Sequence, residues 1–216
     1  MGGMFIEKKI QRAIEDLQKG RFILIYDDDN REGETDLVMA SEFATPGSVR
    51  TMRKDGGGLI FIMISKEIAD GLKLPFLADM YAKVEDRYPV LKVLAPYDIP
   101  YDSKSSFSLY INHRETFTGI TDIDRSLTMR RFAEFVKKTN FNNGYAMELF
   151  GKEFRSPGHI PICVAVEGLL DERRGHTELV VSMLKMAGLV PVGSGCEMMG
   201  DNGKALSKDK TREYAK

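Results

Sequence analysis

The chain has 216 residues, 43% hydrophobic and 29% charged, with 31 Lys plus Arg against 32 Asp plus Glu and a net charge of −1. That composition excludes a largely disordered chain, and the near-zero charge argues against a nucleic-acid partner. The longest continuous apolar run, 59–64, is far short of the ~20 residues a membrane span needs.

Ile6, Ile10, Ala13, Ile14 and Leu17 recur at helical spacing and Gly20 is a stop, which predicts a helix over 5–19. Residues 22–26 are continuously apolar and read as a buried strand. An acidic loop, 27–36, leads to a second strand over 37–40. Thr45-Pro46 opens a helix with Pro at its first position. It ends before Gly56-Gly57-Gly58, a turn that needs positive φ or close backbone approach, and 59–64 is another buried strand. Ser65 caps a short helix through Leu72. Pro75, Pro89, Pro96 and Pro100 break every pattern over 74–105, which reads as a surface excursion with one strand near 90–94.

Phe107, Leu109 and Ile111 alternate with polar residues, as in a half-buried strand. Residues 124–138 form the clearest helix of the second half, and 140–158 are loop-rich, with Asn142-Asn143-Gly144 as a turn. A strand over 160–166, a helix over 177–187 closed by Gly188, a strand over 189–192 and a last helix capped by Ser207 complete the chain. No linker or repeat divides it. The expected fold is α+β: a single layered domain, 1–216, with a mixed twisted sheet and helices packed on it. Cys163 and Cys196 are not in a CxxC spacing, and the first residues lack a continuous apolar run, so no secretory signal is expected. Both read as reduced thiols of a cytoplasmic protein.

Four segments carry chemistry. Residues 27–36 place six carboxylates against one arginine. They form either a solvated turn or, because the loop leaves a buried strand, a divalent-cation site. It is not an EF-hand: Arg31 stands at a ligand position and Glu32 at the turn glycine. Arg173-Arg174-Gly175-His176-Thr177-Glu178 lies ahead of a helix, where guanidiniums, backbone N–H groups and the helix dipole favour a phosphate. Arg155-Ser156-Pro157-Gly158-His159 is a tight turn that fixes an imidazole, with Gly158 free to take positive φ. Glu197 ends an apolar run as a candidate acid or base, and His113 reads as structural.

In this order the segments resemble the 3,4-dihydroxy-2-butanone 4-phosphate synthase family of riboflavin biosynthesis. Residues 27–37 resemble its acidic Asp-Asp-Glu-x-Arg-Glu-x-Glu-x-Asp-Leu segment. Phe117-Thr118-Gly119-Ile120 with Asp124-Arg125 resembles its Thr-Thr-Gly-Val…Asp-Arg stretch. Arg155 to His159, Arg173 to Glu178 and Cys196-Glu197-Met198 match three more of its motifs. The resemblance implies conversion of D-ribulose 5-phosphate to 3,4-dihydroxy-2-butanone 4-phosphate and formate, with Mg²⁺ or Mn²⁺, by a homodimer. It implies Glu32 and His176 as metal ligands. Arg31, Glu32, Asp36, Thr118, Arg173, Gly175, His176, Thr177 and Glu197 would contact substrate. His159, Glu197 and Asp36 would serve catalysis, with the division of proton transfers among them open.

The family often has a Cys where Phe61 stands here, and 140–151 reads as an insertion. Family members continue past the helix in which this chain ends, and no fused GTP cyclohydrolase II domain is expected. Two alternatives use the same residues: a metal-dependent sugar-phosphate isomerase or aldolase, and a binding module holding a nucleotide or a nucleic-acid end through Arg173 and Arg174.

Overall fold

The computed structural model describes residues 2–96, 98–141 and 144–216, with side chains described from residue 7 onward. One six-stranded sheet organises them, in the order β1-β2-β6-β3-β5-β4. Its strands are β1 (Ile23–Tyr26), β2 (Thr35–Ala40), β3 (Phe61–Ile64), β4 (Phe107–His113), β5 (Phe154–Val164) and β6 (Val192–Glu197). Only β3 and β5 pair in parallel; the other neighbours are antiparallel. The expected mixed sheet and α+β class are observed.

The helices among the described residues are α1 (Gly2–Gln18), α2 (Pro46–Asp55), α3 (Lys66–Gly71), α4 (Leu77–Val84), α5 (Val90–Val93), α6 (Asp122–Lys138), α7 (Ala146–Glu153), α8 (His176–Met186) and α9 (Lys208–Tyr214). None is long and apolar enough to cross a membrane. Strand pleating sorts the core into two halves. Leu37, Ile62, Ile64, Ile160 and Ile162 face a cluster with Met52 of α2 and Met129, Phe132 and Val136 of α6. Val38, Ala40, Phe61, Met63 and Cys163 face Leu17 of α1 and Val180 and Leu184 of α8.

Local chemistry explains the elements that match the sequence. Thr45 and Ser48 form a reciprocal capping box on α2, with Pro46 at its first position. Thr121 caps α6 by accepting from Asp124 N–H, which starts the helix two residues earlier than the periodicity predicts. Ser65 precedes α3 without a side-chain capping bond. In the glycine turn, Gly58 has φ +94°, while a Cβ on Gly56 would lie 2.3 Å from Cys196 Sγ. Cys163 and Cys196 are both buried and unbridged.

Four expectations are corrected. Residues 90–94 are not a strand: Val90–Val93 is a helical turn opened by Pro89, and α4 precedes it. The span 140–158 is not mostly loop, because α7 runs directly into β5; the Asn142-Asn143 part of the expected turn lies outside the described residues. The strand expected at 189–192 instead begins at Val192 and runs to Glu197. Register shifts in β4 against β5 break the simple alternation, so Ser108 is buried while Leu109 is not.

Candidate active site

The β1–β2 hairpin builds the acidic loop. Tyr26 pairs with Thr35, so residues 27–34 must reverse the chain, and Gly33 does so at φ +67°. Asp27 is the internal brace. Its carboxylate accepts from the backbone N–H of Glu32 (3.0 Å) and Glu34 (3.1 Å) and from Arg31 Nη1 (3.2 Å). These bonds aim Glu32 at His176, whose Nδ1 lies 3.4 Å from Glu32 Oε2.

His176 is the first residue of α8. One ligand atom from each of Asp27, Glu32 and His176 lies within 4.8 Å of the others, two oxygens and an imidazole nitrogen. That donor set suits Mg²⁺ or Mn²⁺. Asp27 was hidden in the sequence among five equivalent carboxylates; only its place at the strand end marks it.

Across the sheet, Asp36 of β2 pairs in register with Glu197 of β6. Asp36 is almost fully buried, its Oδ1 has no hydrogen-bond partner, and that atom lies 3.7 Å from His176 Nε2. Burial pushes its carboxyl up to about 7; His176 opposes the rise, and Glu197, Glu32 and Glu34 add to it. Glu197 is also raised, by burial first and then by Glu34 and Glu32, against a backbone hydrogen bond and the charge of His176. Burial works against charge on His176, but the hydrogen bond it donates to Glu32 and the charges of Asp36, Glu32 and Asp27 carry its imidazole up to about 9. The cluster thus holds an excess of negative charge that a divalent cation would relieve.

The other arm of the site is the start of α8, flanked by guanidiniums. Gly175 is its N-cap residue, and a Cβ there would lie 2.3 Å from Arg173 Nη1 and 3.0 Å from Arg31 Nη2. Only glycine lets both guanidiniums approach the helix end. Thr177 is buried beside them, whereas Arg174 is exposed. A cavity of about 230 Å³ joins these parts. Glu32, Asp36, Arg173, His176, Thr177 and Glu197 line it. Phe61 and Cys163, on adjacent strands, also reach it, so a thiol is present although Phe61 replaces the expected Cys. Tyr101 and Asp102 close one side, and no local sequence pattern pointed to either.

Thr118 and His159 do not line this cavity. His159 stands four residues upstream of Cys163 on β5, about 13 Å along a strand. It is exposed, and its turn is fixed by Asn112, whose Oδ1 accepts His159 N–H at 2.8 Å and whose Nδ2 lies 3.1 Å from His159 Nδ1. The same amide reaches the Thr118 carbonyl at 3.4 Å. Gly158 is required by close approach rather than positive φ: a Cβ there would meet the Ile111 backbone carbon at 2.0 Å. His113 is structural as expected, buried edge-on against Phe154.

These features define a class: a layered α+β protein with an arginine-flanked helix start beside an oxygen- and imidazole-lined pocket. The family model for 3,4-dihydroxy-2-butanone 4-phosphate synthase matches residues 11–216, and the chain belongs to that family. The synthase of Methanosarcina mazei is 46% identical over 215 residues, covering 98% of this chain and 86% of its own. The crystal structure of the Candida albicans synthase is 31% identical with a TM-score of 0.70, covering 95% of this chain and 88% of that one. Another synthase, solved in complex with two magnesium ions, shares the fold at 24% identity and a TM-score of 0.68, covering 95% of this chain and 89% of its own.

Proposed function

We propose that the cleft converts D-ribulose 5-phosphate to 3,4-dihydroxy-2-butanone 4-phosphate and formate for riboflavin biosynthesis. One observation carries the reading. Glu32 and His176 of the carboxylate–imidazole cluster and Arg173 of the helix start line the same cavity. A metal-dependent ketose phosphate needs both at once. The unpartnered, buried Asp36 Oδ1 and the donor set fit a divalent ion held by Glu32 and His176, with Asp27 alongside. When bound, Mg²⁺ or Mn²⁺ supplies an electrophile for adjacent substrate oxygens.

The chain's own residues do the rest. Arg173, Gly175 and Thr177 seat the phosphate at the α8 start, and Arg31 borders it. Phe61 and Cys163 exclude water from one wall. Asp36, with its carboxyl near neutrality, and Glu197 beside it hold and move protons at their carboxylate oxygens. His159 and Thr118 act from a second copy in a homodimer. They share one patch through Asn112, and next to it Phe117 (92% exposed), Ile120 and Ile123 present an apolar surface suited to a like chain. We place the enzyme in the cytoplasm, in keeping with its two unbridged thiols.

The first test is Glu32→Gln. Formate release should fall on the order of 100-fold or more, with weaker Mg²⁺ binding and an unchanged fold. Near-normal turnover at low Mg²⁺ would contradict the role.

A further inference from the structure

Residues 73–106 form the excursion that leads into β4, and among those described none is buried. Its last stretch, 98–106, crosses the mouth of the cleft as a strap. Cavities flank it on both sides, about 230 Å³ toward Glu32 and His176 and about 220 Å³ toward Val164 and Glu172. Lys104 ties the strap only to Asp79 and the Phe76 ring of the same excursion. Where the strap runs into β4, the Ser106 carbonyl accepts Val164 N–H of β5 at 2.9 Å; before that point its side-chain hold on the rest of the molecule is Asp102, helped by Tyr101 against the Arg31 guanidinium.

Asp102 Oδ2 accepts from Arg173 Nε at 2.7 Å, lies 2.6 Å from Arg173 Nη2 and accepts from Arg31 Nη2 at 3.0 Å. The Nε–Nη2 edge of Arg173 is the fork that grips a phosphate in bidentate fashion. Its remaining edge is taken by Glu178. The seat is therefore filled by protein carboxylates: Asp27, Glu32, Asp102 and Glu178 surround two guanidiniums. A phosphate dianion cannot join them favourably unless one leaves.

Three are fixed. Asp27 braces the acidic loop through two backbone N–H groups. Glu178 is fully buried and accepts Val166 N–H at 3.0 Å. Glu32 faces His176. Asp102 rides on the surface excursion, none of whose described residues is buried, and segments of that kind open most readily.

We infer that the Asp102 carboxylate holds the substrate phosphate's place on Arg31 and Arg173, and that the 98–106 strap is released when a phosphate takes that place. The inference rests on the proposed phosphate seat and deepens it: entry of the anion and opening of the strap are one exchange on the same two side chains.

Inorganic phosphate is the probe, with binding read by calorimetry and strap opening by hydrogen exchange of the full chain. In wild type, phosphate should speed exchange over 98–106 several-fold. Asp102→Ala should exchange fast with or without phosphate and bind phosphate about tenfold tighter, since the competing occupant is gone. Asp102→Asn, which keeps the shape without the charge, should move the same way. Unchanged or weaker phosphate binding in both variants, or phosphate slowing strap exchange in wild type, overturns the exchange. Arg173→Ala separates the layers. If it abolishes phosphate binding while the Asp102 variants gain nothing, the latch alone is wrong. If it binds phosphate as wild type does, the seat itself is wrong and the latch falls with it.

Discussion

Asp124 holds the turn that carries Thr118. Its carboxylate accepts the N–H groups of Gly119 (2.8 Å), Thr118 (3.2 Å) and Phe117 (3.4 Å). These bonds, the Gly119 N–H foremost, keep its carboxyl below the ordinary aspartate value of 3.8. A group depressed in the folded state stabilises the fold fully above its unfolded value, and the contribution is lost as pH falls through the lower, folded one. Asp124→Asn should therefore lower the Tm by on the order of 3 °C near neutral pH. The gap to wild type should close below about pH 4. Thermal melts from pH 3 to 7 check this, and a gap that widens in acid would contradict it. At the same scale the site was partly legible. Glu32, Asp36, Arg173, His176, Thr177 and Glu197 were marked by motif and do meet in one cavity. Asp102 was not, because its partners Arg31 and Arg173 are each 71 positions away and no local pattern records such a pairing.

At the scale of elements, legibility followed how much of each segment's form is decided locally. The capping box wrote α2 into its own residues, and the apolar runs wrote β1 and β3. β6 was displaced in the reading because its pattern is set by neighbours. Gly193 is there since a Cβ would lie 2.3 Å from Val180 of α8, and Gly195 since one would lie 3.0 Å from the Leu37 carbonyl. A strand of glycines under a helix looks like a loop until the helix is placed above it. Prolines masked α4 and α5 in the same way, since Pro89 opens a helical turn rather than ending one. Two alanine substitutions test this reasoning. Gly158→Ala drives a Cβ into the Ile111 and Asn112 backbone, which cannot yield, and should cost about 3 kcal/mol. Gly151→Ala, in α7 with nothing within 4 Å, should gain about 0.5–1 kcal/mol. Urea denaturation of both decides it; equal effects would mean that close approach does not explain Gly158.

For the whole molecule, the proposed site needs two copies, and its parts separate cleanly by chain. Glu32 belongs to the cavity and His159 to the Asn112 patch. His159→Ser and Glu32→Gln should each be nearly inactive as pure dimers. Mixed after co-refolding, they should regain about a quarter of wild-type activity: half the dimers are mixed, and each has one intact site of two. No recovery, with mixed dimers verified by mass, would mean that His159 does not act across the interface. The reaction itself is tested most directly by NMR of ribulose 5-phosphate labelled with ¹³C at every carbon. The account predicts one labelled formate and one labelled four-carbon phosphate for each substrate consumed, and only when Mg²⁺ or Mn²⁺ is supplied. A five-carbon isomer, or two- and three-carbon fragments without formate, would contradict it.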